Sequence, residues 1–280
     1  MRKTAGLDAV AAQRARTVAL AEGLTAEDWD LPCLPRWAVR DVFAHLVASD
    51  RASITGAIVR PLLGTSDRAV VERWNDQAVR RWRDRPPQDI VDGLRRWGAR
   101  IERLGRLVPG PVARLPVGTP YGRHPVVFLL FLRVWDEWVH EQDVRWALGA
   151  PRDDVPSPPP LVIGQALADM TLAVLPRRRL PEVARRTGIA RLVVDPAPPD
   201  GAVTARPVTW GVDFARRQYG PRVTAKADAE VRVHAAALAL LLGGRMHWRA
   251  LRAPWLSVDG DGELAAALLD AVPLPSSDPV

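Results

Sequence analysis

Apolar residues recur at helical spacing along the first half of the chain. Residues 6–22 place Leu7, Val10, Ala11, Val18 and Ala21 close to a 3.6-residue period, which predicts an amphipathic helix. "LTAEDWDLPCLPRW" follows, where Pro32 and Pro35 break any regular element. A second helix is expected from about Ala38 to Val59, with Asp41 near its positive end. A third stretch, "SDRAVVERWNDQAVRRWRDR", has Ser66 as an N-cap and is interrupted at Pro86 and Pro87. Another helix covers "QDIVDGLRRWGARIERLGRLV". After the turn-rich "PGPVARLPVGTPYG", a last helix is expected over about 125–148, stopping at Gly149. Long helices with short polar connections point to an antiparallel four-helix bundle.

The pattern changes after "APRDDVPSPPP" at 150–160, which reads as a linker. Residues 161–175 suggest one more helix. "ARLVVDP" and "RPVTWGVDF" then carry strand character, rich in β-branched residues and bounded by Pro and Gly. "EVRVHAAALALLLGGR" reads as a strand entering a helix, and "GDGELAAALLDAV" as a final helix. The fold class is therefore α+β, with a helical domain over 1–150 and a small α+β domain over 161–275.

Charge and composition narrow the function. The chain has 280 residues and a net charge of +7, carried by Arg rather than by its two lysines, Lys3 and Lys226. The densest basic stretch is "PRRRLPEVARR" at 176–186, but Arg is dispersed among 32 acidic residues. That reads as a solvated surface rather than a nucleic-acid footprint. No apolar run reaches membrane-spanning length, and the N-terminus lacks the apolar core of a secretory signal. A cytoplasmic protein with no membrane partner, monomeric or homodimeric, is expected. A single cysteine, Cys33, rules out an internal disulfide and a cysteine-based zinc cluster within one chain. Cys33 itself reads as an incidental loop thiol.

Candidate chemistry lies in "RVWDEWVHEQDVRWALG" at 133–149. Asp136 and His140 stand four apart and share one helix face, a workable half-site for a divalent cation. The same spacing also suits a plain surface or second-layer hydrogen bond. In "RDVFAHLVASD", His45 shares a small apolar face with Val42, Ser49 and Ala52, so it should point inward. It is either a satisfied core histidine or a ligand supplied from a second helix. Asp143 could orient a ligand histidine or pair with Arg145. Trp135 and Trp138 are expected in the core, and His124, before Pro125, in a turn. His234, His247, Arg222 and Arg245 are candidates for an anion contact in the second domain. No P-loop, dinucleotide fingerprint or nucleophile elbow is present.

"LPRWAVRDVFAHL" and "RVWDEWVHEQDVRWALG" resemble the two histidine segments of the mycothiol-dependent maleylpyruvate isomerase family, within the DinB-like four-helix superfamily. "ERWNDQAV", around Asn75, and "VRVHAAALALLLGGR…LSVDGDGELAAALLD" are similar to further stretches of that family. The latter belongs to its small domain, related in shape to sterol-carrier proteins. The resemblance implies a divalent metal, zinc first with nickel or iron as alternatives, on His45, Asp136 and His140. This chain has Asp136 where the family usually has Glu. Adjacent Glu137 lies about 100° around the helix, so Asp136 is the better-directed carboxylate. The resemblance further implies mycothiol as cosubstrate and a small electrophilic substrate. The expected activity is S-transfer or cis–trans isomerisation through a metal-bound thiolate. The alternative is a non-catalytic small-ligand or metal-binding protein of the same fold.

Overall fold

A computed structural model describes residues 3–56, 68–119, 122–152, 155, 187–196, 207–216, 218–220, 223 and 226–272. The chain divides into two compact units, Met1–Val155 and Pro156–Val280. The Ser66 cap, the expected helix over 161–175, the arginine run at 176–186 and Arg222 lie outside the described residues.

Among the described residues, the first unit contains five long helices: α1 (Lys3–Glu22), α2 (Val39–Thr55), α3 (Arg68–Arg83), α4 (Pro87–Leu107) and α5 (Val127–Ala147). Packing of α1 on α4 and α5, and of α2 on α4 and α5, makes α1, α2, α4 and α5 the bundle. Helix α3 packs on α2. Helix α2 is buried almost all round, with Val39, Val42, Phe43, Leu46 and Val47 in the core. Asp41, His45, Ser49 and Asp50 are buried on it as well, so the helix is enclosed by its neighbours on polar and apolar sides alike. It starts where the Asp41 carboxylate accepts the Ala38 N–H at 3.1 Å. It ends at Thr55, short of the expected Val59, because Gly56 takes φ +72°.

Two proline-containing connections hold more structure than their sequences suggested. "LPCLPRW" forms a small hairpin of β1 (Pro32–Leu34) and β2 (Trp37–Ala38), with Cys33 in its first strand. "PGPVARLPVGTPYG" carries a helical turn at Gly110–Ala113 and a hairpin of β3 (Pro116–Thr119) and β4 (Gly122–Pro125). His124, expected in a turn, therefore lies in a strand, and its ring stacks on Phe128 with centroids 4.0 Å apart. Proline is tolerated here because such short strands have edges that need no ladder donor.

The second unit contains a five-stranded sheet. Its strands are β5 (Ile189–Asp195), β6 (Val208–Asp213), β7 (Gln218–Gly220), β8 (Ala229–His234) and β9 (Leu256–Gly260), in the order β7-β6-β5-β8-β9. The central β5–β8 pair is parallel and the other pairs are antiparallel. Helix α6 (Ala235–Leu242) is wholly buried, as its "AAALALLL" requires. Helix α7 (Gly262–Asp270) is capped by Asp261, whose Oδ1 accepts from the Glu263 and Leu264 amides at 2.9 and 3.0 Å. Gly260 has φ +81°, and a side chain there would collide with the Asp228 carbonyl. No described helix is long and apolar enough to cross a membrane.

Candidate metal centre

His45 comes from the middle of α2, and Asp136 and His140 from successive turns of α5. His45 Nε2 lies 3.6 Å from Asp136 Oδ2, and His140 Nε2 lies 3.7 Å from Asp136 Oδ1. The three candidate donor atoms fall within 4.8 Å of one another. For bonds of about 2.1 Å, tetrahedral ligand atoms sit roughly 3.4 Å apart, and each imidazole Nε2 is near that spacing from one of the two Asp136 oxygens. Both histidines are buried, while the Asp136 side chain keeps 30% of its surface exposed. The cluster is therefore reachable from the aspartate side.

The two imidazoles are held differently. His140 Nδ1 meets Asp143 Oδ2 at 2.9 Å, which points the lone pair of Nε2 into the cluster. This is the carboxylate–histidine relation that fixes the tautomer of metal-ligating histidines. Arg145 pairs with Glu141 at 2.8 Å, so Asp143 takes the orienting role of its two sequence readings. His45 Nδ1 is buried with no hydrogen-bond partner, so the tautomer of His45 is set from the Nε2 side. Trp37, on β2, lies over both rings, with centroids 5.1 Å from His45 and 6.2 Å from His140. The β1–β2 hairpin that carries it packs on α5 and α2.

Electrostatics favour a neutral His45 beside an ionised Asp136. Burial holds His45 below the ordinary imidazole value, although Asp136 pulls the other way. Burial tends to raise Asp136, but the interaction with His45 and the neighbouring positive charge of Arg133 outweigh it. Its carboxyl stays well below the usual range.

Behind the cluster lies an ion network that the sequence did not disclose. Arg133 contacts Asp50 at 2.6 Å, Asp136 at 2.8 Å and Glu137 at 3.5 Å. Arg14 donates to Glu137 at 2.7 and 3.0 Å, to Asp50 at 2.5 Å and to the Leu94 carbonyl at 2.8 Å. Glu137 is thus committed to the interior and Asp136 to the cluster, as their 100° separation requires. Two imidazole nitrogens and a carboxylate facing a common point suit a divalent cation of the zinc type. Only the pairs of Arg133 with Asp136 and Glu137, three and four apart on one helix, were within reach of sequence pattern. Arg14 and Asp50 come from other helices.

The described second-domain candidates have contacts within their own unit. His234 Nδ1 accepts from the Ala236 amide at the start of α6, and His247 Nδ1 accepts from the Arg249 amide. Arg245 donates to the Gly243 carbonyl at 2.6 Å. Each of the three has a local structural task.

A helical bundle carrying two histidines and a carboxylate at its core, followed by a small sheet domain, defines a DinB-like architecture joined to an α+β unit. Residues 10–145 match the family model described as the mycothiol maleylpyruvate isomerase N-terminal domain, and the N-terminal unit belongs to that family. The whole chain is similar in fold to the crystal structures of the mycothiol-dependent maleylpyruvate isomerase and of a histidine-to-alanine mutant of it. In both cases the TM-score is 0.54 at 13% identity, with 92% of this chain and 93% of that chain covered. No curated protein sequence matches the chain.

Proposed function

We propose that this protein is a mycothiol-using isomerase or S-transferase, working in the cytoplasm with a divalent cation held by His45, Asp136 and His140. Zinc is the first choice of ion. We assign metal binding to residues 1–150 and treat 161–275 as the accessory domain. The observation that carries the reading is the convergence of these three donors, with Asp143 orienting His140. It occurs within a domain of the mycothiol maleylpyruvate isomerase N-terminal family.

A cation bound there would favour the thiolate form of a thiol cosubstrate, lowering its pKa from about 8.5 toward neutrality. The chain's own residues prepare the site for this. Burial keeps His45 neutral and its lone pair available. Asp143 keeps the His140 Nε2 lone pair inward. Asp136 stays ionised and supplies the one negative donor. Trp37 covers the two imidazoles and excludes water from that side. The partly exposed face of Asp136 leaves a path for the sulfur. The mycothiol sulfur adds to an electrophilic carbon of a small substrate. In cis–trans isomerisation the adduct rotates about the former double bond and expels the same thiolate, restoring the alkene, and in transfer the sulfur stays while the substrate's leaving group departs with the electron pair of the broken bond.

The test loads the purified protein with cobalt and adds mycothiol. A sulfur-to-cobalt charge-transfer band is expected, much weaker with a thiol lacking the sugar, and absent in His45→Ala. Metal-loaded protein that gives no band with any thiol would leave a metal-binding protein of the same fold as the better reading.

A further inference from the structure

Arg133 is buried in the bundle. Its side chain is 9% exposed, and both Asp50 and Glu137 beside it are fully buried. Each nitrogen of its guanidinium lies beside an acidic or carbonyl oxygen. Nε is in ion-pair contact with Asp50 Oδ1 without an aligned hydrogen bond, Nη1 donates to Asp136 Oδ2, and Nη2 lies near Glu137 Oε2 and donates to the Leu46 carbonyl. Asp50 and Glu137 are themselves gripped by Arg14. The guanidinium plane is thus fixed by groups that do not belong to the His45–Asp136–His140 cluster.

We propose that Arg133 is a positioning residue that makes Asp136 a one-oxygen ligand and thereby selects the class of cation. The inference rests on the metal reading of the cluster. Arg133 donates to Oδ2 at 2.8 Å, the oxygen that also lies 3.6 Å from His45 Nε2, while Oδ1 lies 3.7 Å from His140 Nε2 and has no such donor in these contacts. Drawing Oδ2 onto the ion together with Oδ1 would weaken a charge-assisted hydrogen bond in a buried setting, where such bonds are strong. Two imidazoles and a single carboxylate oxygen suit zinc, cobalt or nickel. Calcium, which takes six to eight oxygens and often bidentate carboxylates, is disfavoured.

The test uses full-length, metal-free protein titrated with cobalt(II), alone and against calcium. Two variants are compared with the wild type. Arg133→Lys keeps the charge but cannot bridge three carboxylates with a planar fork. Arg133→Met combined with Asp50→Asn removes one charge of each sign. Both should bind cobalt about 10–100-fold more weakly, the usual cost of losing an outer-layer partner. Their cobalt d–d bands should also lose intensity, as the freed carboxylate turns bidentate and the coordination number rises. Calcium should compete better than with wild type. Unchanged affinity and spectrum in both variants would overturn the proposal. So would weakened affinity with an unchanged spectrum, which is the mark of a merely structural loss. If the lysine variant does not fold, the charge-balanced pair decides. Wild-type protein that binds no cobalt would overturn the metal reading itself, and this inference with it.

Discussion

Replacing Arg14 by Met should cost the bundle more than any other single arginine replacement among the described residues. Arg14 sits on α1 and bonds to Asp50 on α2, to the Leu94 carbonyl on α4 and to Glu137 on α5. One side chain therefore ties all four bundle helices. Its own side chain is 6% exposed, and those of Asp50 and Glu137 are 0% exposed. Methionine retains most of the stem, so packing loss is small and the charge effect dominates. Two buried carboxylates would be left to Arg133, and removing one partner of such a buried pair costs about 3–5 kcal/mol. For a unit of about 150 residues, 1 kcal/mol moves the melting midpoint by roughly 2–4 °C, so a drop of roughly 6–20 °C is expected. Scanning calorimetry of metal-free protein reads this directly. Adding Glu137→Gln to Arg14→Met should recover part of the loss, because it removes a stranded charge. Arg106→Met, which breaks the exposed pair with Glu102, is the control and should cost about 1 kcal/mol or less. A midpoint shift for Arg14→Met no larger than that of the control would refute the network's role.

Further outcomes follow from the same geometry. Gly98→Ala should not give the gain of about 1 kcal/mol that helix propensity alone predicts. Its Cβ would meet Arg14 Cγ at 3.2 Å, and Arg14 is held by four bonds and cannot yield, so thermal melting should show a net loss. Asp143→Asn should weaken metal binding about 10–100-fold by releasing the His140 tautomer, measured by competition with a chelator. His45 binds its proton less readily when folded than when unfolded. Its contribution is therefore complete above the unfolded value of about 6.5 and is lost as pH falls below it, at up to about 1.4 kcal/mol per pH unit. Melting midpoints of metal-free protein at pH 7.5 and 5.5 should thus fall more steeply for wild type than for His45→Gln, and equal slopes would count against the reading. Asp136→Glu should retain metal, checked by elemental analysis.

The helices and the main strands were legible because their apolar spacing is long and regular. Helix α5 also announced its chemistry, since Asp136, His140 and Asp143 lie within two turns and their directions follow from 3.6-residue periodicity. His45 needed one further step, the small apolar face that turns it inward. The Arg14 and Asp50 partnerships were not legible. They join helices remote in sequence, and an arginine on an amphipathic helix looks the same whether it faces water or a buried carboxylate. The hairpin that lays Trp37 over the histidines was missed for a related reason. Pro32 and Pro35 mark a break in regular structure, and a strand of two or three residues is too short to leave a period-2 signal.

Helix α5 is pinned on two sides at once. Asp136 and His140 face the cluster, while Glu137 and Glu141 are clasped by Arg14, Gln13 and Arg16 of α1. A helix gripped in this way can neither roll nor slide without breaking both sets of bonds together. Evolution or a designer wishing to retune the ion's surroundings cannot do so by shifting the helix. The adjustable quantity that remains is the length of the side chain at a fixed Cα. An aspartate in place of a glutamate at position 136 is a change of that kind: one methylene, with the backbone left where it stands.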